Sequence, residues 1–256
     1  MFPKKLRVFL LLLILLFVAL NSWSIKSRST DWDQPLWVAI YPINADGSNA
    51  SKNTIQTLSV EDFQFVESFM RREAKRYALS IENPVTMKLA PEIKELPPTP
   101  PIDGNTLGII VWSLKMRYWA YSRDTFVGPS PDIQIFVLYH DPKQTTRLAH
   151  SLGLQKGLIG VVNAFAGREY RGSNNMVIAH EMLHTVGASD KYDGHNNQPI
   201  YPEGFARPDQ TPLYPQHKAE IMAGRVPLSA TESIMPTNLK RVVVGEQTSK
   251  EINWTN

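Results

Sequence analysis

The 256-residue sequence contains no cysteine. Disulfides, thiolate metal ligands and a cysteine nucleophile are thereby excluded, so any metal has to be held by histidine nitrogens and carboxylate oxygens. Net charge is also scarce. Lys and Arg number 27 against 24 Asp and Glu, and Lys4, Lys5 and Arg7 alone match the whole excess of +3. The remainder is close to neutral and shows no basic patch interleaved with aromatics, which argues against a nucleic-acid partner. No internal repeat is present. What the chain does have is an ordinary globular composition, 43% hydrophobic and 20% charged. That is enough for the core of one domain, or of two small ones.

The cations at the start precede an apolar run from Val8 to Leu20, VFLLLLILLFVAL. A basic start followed by such a run reads as a signal peptide or an N-terminal membrane anchor. The run is about 13 residues, short of the roughly 20 that span a bilayer comfortably, and reaches the lower limit if extended through Trp23 and Ile25. Residues 1–24 are assigned to this segment. With positive charge kept inside, everything after about residue 25 faces the extracytoplasmic side, periplasmic or cell-surface, anchored or released by cleavage. Residues 25–35 are polar and read as a tether. Residues 36–256 remain for the folded domain.

Pro35 to Ile43 predicts a first strand, followed by a turn at Ala45-Asp46-Gly47-Ser48. Ser59 is placed as an N-cap, and apolar residues then recur at helical spacing from Phe63 to Ala78. Pro84 to Leu89 predicts a short strand, and Pro91 to Pro101 an extended surface loop. Leu107 to Trp112 is uniformly apolar and predicts a buried strand; Leu114 to Tyr121 suits strand or helix. Ile133 to Tyr139 is the clearest strand. After a glycine-punctuated loop, Leu158 to Phe165 is another, and a helix is expected from Asn175 to Val186 behind caps at Ser173 or Asn174. The order β-α-β-β-β-α indicates an α/β (α+β) domain with a mixed sheet.

The chemistry is concentrated in Val177 to Tyr192, VIAHEMLHTVGASDKY. His180 and His184, four residues apart on a helix, present both imidazoles on one face one turn apart. Glu181 stands beside them, free to take a proton from a metal-bound water. Met176, Ala179, Leu183 and Val186 form a separate apolar stripe for docking the helix on the sheet. With 6 His and 13 Glu in the chain, HExxH arises by chance roughly once in a hundred such sequences. Gly187 then breaks the helical pattern and suits a left-handed turn that sends the chain back. Asp190, three residues on, is the candidate for the third ligand that a catalytic zinc requires. His195 competes with it. Glu203 or Glu220 would serve in a thermolysin-like arrangement, but Glu203 sits in a Pro/Gly-rich loop and Glu220 reads as surface or as support for a ligand. His140, His150 and His217 read as surface or structural.

The string HExxHxxGxxD in His180–Asp190 resembles the HExxHxxGxxH signature of the metzincin metallopeptidases. Aspartate in the last position resembles the snapalysin-type branch, and the stretch to Tyr192 is similar to that of a group of bacterial zinc peptidases. The likeness covers about a dozen residues and one methionine. It implies a metzincin-like zincin domain with a mostly parallel sheet, an antiparallel edge strand and an active-site helix. It also implies one catalytic Zn2+ on His180, His184 and Asp190, Glu181 as general base, and a methionine turn beneath the metal. Met222, in AEIMAGR, and Met235, in ESIMP, are the two candidates; Ala-Gly after Met222 suits a tight turn. The family's edge strand pairs with extended substrate, which places Leu158–Phe165 in that role. The Pro- and Gly-rich connection 191–218 would form one wall of the cleft, with Tyr192 either helping the oxyanion or packing in the loop. The function expected is hydrolysis of peptide bonds in peptide or protein substrates. The alternatives are a scaffold with structural zinc and an amidase acting on a non-protein amide.

Overall fold

In a computed structural model, residues 29–101 and 105–255 are described, together with Leu6, Val8, Phe9, Leu12 and Leu13. Most of the predicted N-terminal segment, residues 14–28 above all, lies outside the described residues. Among the described residues no helix is long and apolar enough to cross a membrane.

Five strands make the main sheet: β1 (Leu36–Asn44), β2 (Val85–Leu89), β3 (Ile133–His140), β4 (Leu152–Leu154) and β5 (Ile159–Phe165). Their order is β2-β1-β3-β5-β4, all parallel except β4, which runs antiparallel to β5 with Leu152 opposite Val161. The chain is therefore a mixed α/β domain with a mostly parallel sheet and an antiparallel edge. The inner parallel strands β1, β3 and β5 are apolar at most positions, as strands covered on both faces are. Val38 and Ile40 of β1 face one core cluster, while Ala39, Tyr41 and Ile43 face the other.

Two helices missing from or misread in the sequence complete the layers. Helix α1 (Asn49–Gln56) follows the predicted turn and is capped by Ser48, whose hydroxyl accepts from Ser51 N at 3.0 Å. Ser59 caps a short 3-10 turn reciprocally with Asp62, and α2 (Gln64–Arg76) continues from it. The expected strand Leu107–Trp112 is a helix instead. It and Leu114–Tyr121 form one 17-residue helix, α3 (Thr106–Ser122), capped by Asn105, whose side-chain oxygen accepts from Gly108 N at 2.6 Å. Only Trp112, Met116 and Ala120 of α3 are buried. A uniformly apolar run implied burial on both sides, and the helix in fact buries one narrow stripe.

The strand predicted at Leu158–Phe165 is present as β5, but it is not the edge. β4, read as part of a loop, pairs along its free side and takes the edge position. The site helix α4 (Arg171–Thr185) starts four residues before the predicted Asn175. Ser173 and Asn174 do not cap it: Asn174 instead uses its amide to bond Phe165, accepting from its N and donating to its O, tying the helix start to the end of β5. Beyond α4 come β6 (Ala219–Glu220), β7 (Val226–Pro227), β8 (Ser233–Ile234), β9 (Val242–Val243) and α5 (Glu246–Glu251), with β6 parallel to β9 and β7 antiparallel to β8. Trp32, within the segment read as a tether, is buried: its indole donates to Ile252 O at 2.7 Å and its ring meets Trp254 edge-on.

Candidate metal centre

The apolar stripe of α4 goes where its periodicity points. Met176, Ala179, Leu183 and Val186 are all buried in the larger core cluster. The other side of the helix meets the edge strand at very short range. A Cβ on Gly153 of β4 would stand 2.5 Å from both Glu181 O and His184 Cβ, so only glycine lets the edge come this close to the ligand helix.

The end of α4 is set by Gly187, at φ +113°. Gly187 N donates to His184 O and Ala188 N to Leu183 O, the paired bonds that close a helix through a left-handed residue. The reversed chain brings Ala188 O to 2.8 Å from His184 Nδ1, while Ile221 O stands 2.9 Å from His180 Nδ1. Each carbonyl accepts the Nδ1 proton. Both imidazoles are thereby fixed in the tautomer whose Nε2 lone pair is free for a metal.

The two Nε2 atoms are 3.0 Å apart, and Asp190 Oδ1 lies 3.2 Å from that of His180 and 3.1 Å from that of His184. Two lone pairs at that distance repel unless a proton or a metal cation lies between them. A triangle with sides of this length has its centre about 1.8 Å from each corner, so the three donor atoms would fit a cation that takes nitrogen and oxygen at roughly 2 Å, as zinc does. The donor set of two nitrogens and one carboxylate oxygen suits zinc as well. These three side chains are the group that could hold a metal among the described residues. His195, bonded through its backbone to Asp193, and Glu203 are exposed and outside it.

Glu181 is 5% exposed, and its Oε2 has no hydrogen-bond partner. Burial, the largest influence, pushes its carboxyl pKa above the ordinary range against the pull of His180 and His184. Asp190 behaves in the opposite way. Burial would raise it, but contact with both imidazoles holds it well below the usual carboxylate range. The two acids thus differ: Asp190 is held in its charged form by its contacts, and Glu181 is an unpaired group able to exchange a proton. Glu181 and His180 open on a cleft of about 420 Å³, whose walls include His150, Asn163, Val177, Tyr192, Arg225 and Met235. Asn163 links two of the remaining histidines, with Oδ1 3.0 Å from His140 Nε2 and Nδ2 donating to His150 O. Tyr192 carries the connection 191–218 to the cleft, and burial raises its hydroxyl pKa, which keeps it a donor.

Of two supports of the site, one had no readable signal and the other was left between two readings. Asp190 lies between Ser189 and Lys191, and both neighbours are clamped by Glu251 of α5. Ser189 donates to it from N and Oγ at 2.8 Å, and the buried Lys191 ammonium from 2.7 and 2.8 Å. The partners are some sixty positions away, beyond the reach of spacing rules. The second is Glu220, read from sequence as surface or support. It is fully buried and takes four donors: Met222 N (2.5 Å) and Ala223 N (2.9 Å) on Oε2, Gly245 N (2.9 Å) and Thr248 Oγ1 (2.8 Å) on Oε1. It shapes the turn Glu220–Gly224, which supplies Ile221 O to His180 and Met222 O to Lys191 N. Met222 is fully buried in that turn; Met235 is 45% exposed on the cleft wall.

Glu220→Gln is expected to place its amide N–H₂ opposite the Gly245 N–H, where Thr248 can rotate its hydroxyl to accept. Stranding that backbone donor costs on the order of 1–3 kcal/mol, about 2–12 °C in the thermal midpoint of a domain this size. Because the turn holds a ligand's outer partner, metal affinity is also expected to fall by roughly 10–100-fold. Calorimetry with and without zinc reads both; an unchanged midpoint would refute this account of Glu220.

No protein-family model matches the sequence, and no curated protein matches it closely enough to count as a relative.

Proposed function

We propose that the protein is a zinc-dependent endopeptidase of metzincin-like type, with His180, His184 and Asp190 as metal ligands. The observation that carries this reading is the conjunction of a closed three-atom ligand triangle with an unpartnered, buried carboxylate beside it. Three protein donors are the number a catalytic zinc takes, where a structural site takes four. A bound zinc supplies Lewis acidity and brings the pKa of a water down to about 7.

The chain's own residues do the rest. Glu181 Oε2 accepts a proton from the attacking water and returns it to the amine that leaves. Its raised pKa suits both halves of that exchange, since a strongly acidic carboxylate would hold no proton to give back. Tyr192, which lines the cleft with its hydroxyl bonded to Asp190, would have to turn that hydroxyl to the carbonyl oxygen to stabilise charge developing there. Extended substrate pairs with the antiparallel edge β4, not with β5, because β4 ends the sheet and lies directly against Glu181 and His184. Met222 is the methionine of the turn below the metal, supported by its burial and by the bonds of its neighbour Ile221 to His180.

Zinc analysis and casein digestion test the proposal together. One zinc per purified chain is expected, with cleavage lost in a chelator and restored by zinc. A protein that binds zinc stoichiometrically and cleaves neither casein nor a peptide library would overturn the peptidase reading.

A further inference from the structure

Helix α3 is apolar on nearly every side, yet the sheet takes one stripe of it. Trp112, Met116 and Ala120 pack against Tyr41, Ile43 and Phe136. The outward side shows Leu107, Ile110, Leu114, Tyr118 and Tyr121 at 51–82% exposure. Steps of three and four keep these residues on one face for four turns. Val127, 89% exposed, prolongs the strip into the following loop. The helix carries Lys115 and Arg117 and no acidic residue. An apolar face of this extent, edged by cations and ended by tyrosines, has the composition of a helix that lies in a membrane interface.

The N-terminus indicates which surface covers it. Leu6, Val8, Phe9, Leu12 and Leu13 are helical and exposed, so the apolar run they belong to is not packed into the domain at these positions. Read as a bilayer segment, that run ends at Leu20 and the folded chain is under way by Ser29. The eight residues between, Asn21 to Arg28, span at most roughly 30 Å. The domain is thus held within about its own diameter of the lipid. The chain enters the sheet at the end toward which α3 runs. Trp37 N and O exchange bonds with Asp132, just before β3, and Tyr41 donates to Asp124, just past α3.

We infer that the outward face of α3 docks on the anionic surface of the bilayer that holds the N-terminal segment. This rests on the membrane reading of that segment and is independent of the zinc chemistry. The lack of cysteine makes a direct test available. Full-length chains carrying Leu114→Cys, Tyr121→Cys, Leu13→Cys or Lys250→Cys, each labelled with a polarity-sensitive dye, are reconstituted into phosphatidylcholine–phosphatidylglycerol vesicles. Dyes at 114 and 121 are expected to shift to the blue and to be quenched several-fold by shallow nitroxide lipids, less so without phosphatidylglycerol. The dye at 250, on a helix packed with the other core cluster, is expected to stay unquenched. Quenching at 13 without quenching at 114 and 121 overturns the docking and leaves the membrane segment standing; no quenching at 13 removes both. Disulfide-linked dimers of the unlabelled Leu114→Cys protein, without quenching at 114, identify a second copy as the occupant and also overturn the inference.

Discussion

Glu181→Gln is expected to lower the turnover of a peptide substrate by about 10²–10⁴-fold, the range that loss of a positioned general base produces. Zinc content is expected to stay at the wild-type level, because Glu181 belongs to none of the three sides of the ligand triangle. The amide has the shape of the carboxylate and no capacity to accept the proton. Folding is expected to suffer little: the wild-type group is a buried acid with an unpartnered oxygen, and neutralising it removes a desolvation cost. The combination is diagnostic. An effect on structure alone would lower zinc binding and the thermal midpoint with activity, and a structural zinc would leave both proteins inert. Cleavage by the variant at the wild-type rate would remove Glu181 from the chemistry altogether.

Where one residue type at one spacing forces a geometry, the sequence could be read. His180 and His184 had to share a helix face, the stripe from Met176 to Val186 had to meet the core, and Gly187 had to end the helix; all three hold. The strands β1, β3 and β5 were legible because parallel strands covered on both faces are nearly continuous apolar runs, and the edge strand β2 because Val85, Met87 and Leu89 alternate with Thr86 and Lys88. The same rule misled at Leu107–Trp112. An apolar run says that water is unfavourable and not what replaces it, and α3 buries only Trp112 of that run. β4 was hidden because Leu152-Gly153-Leu154 is too short for an alternating pattern to register; its two leucines pack on the smaller core cluster, and Gly153 admits α4 at close range. That omission moved the edge from β4 to β5. Glu251 went unread, and Glu220 was left between surface and support, for a different reason: the bonds that decide their roles reach backbone and side chains far along the chain.

Asp190→Ala and His195→Ala separate the two candidates for third ligand. Asp190→Ala is expected to lose zinc as His184→Ala does, by more than the 10–100-fold that an outer-partner substitution costs. His195→Ala is expected to bind zinc as the wild type does. The asymmetry follows from position. Asp190 Oδ1 completes the triangle at 3.1 and 3.2 Å, held there by neighbours fastened to Glu251. His195 is exposed in a turn closed by Asp193, outside the triangle. Asp190→Asn tests the charge alone: it keeps an oxygen of the same reach but removes the anion that offsets two charges of the metal, so intermediate affinity is expected. Competition titrations against a zinc-sensitive dye rank the four proteins. Normal zinc uptake by Asp190→Ala, with loss in His195→Ala, would require the connection 191–218 to swing His195 to the metal, and the ligand set proposed here would fall with it.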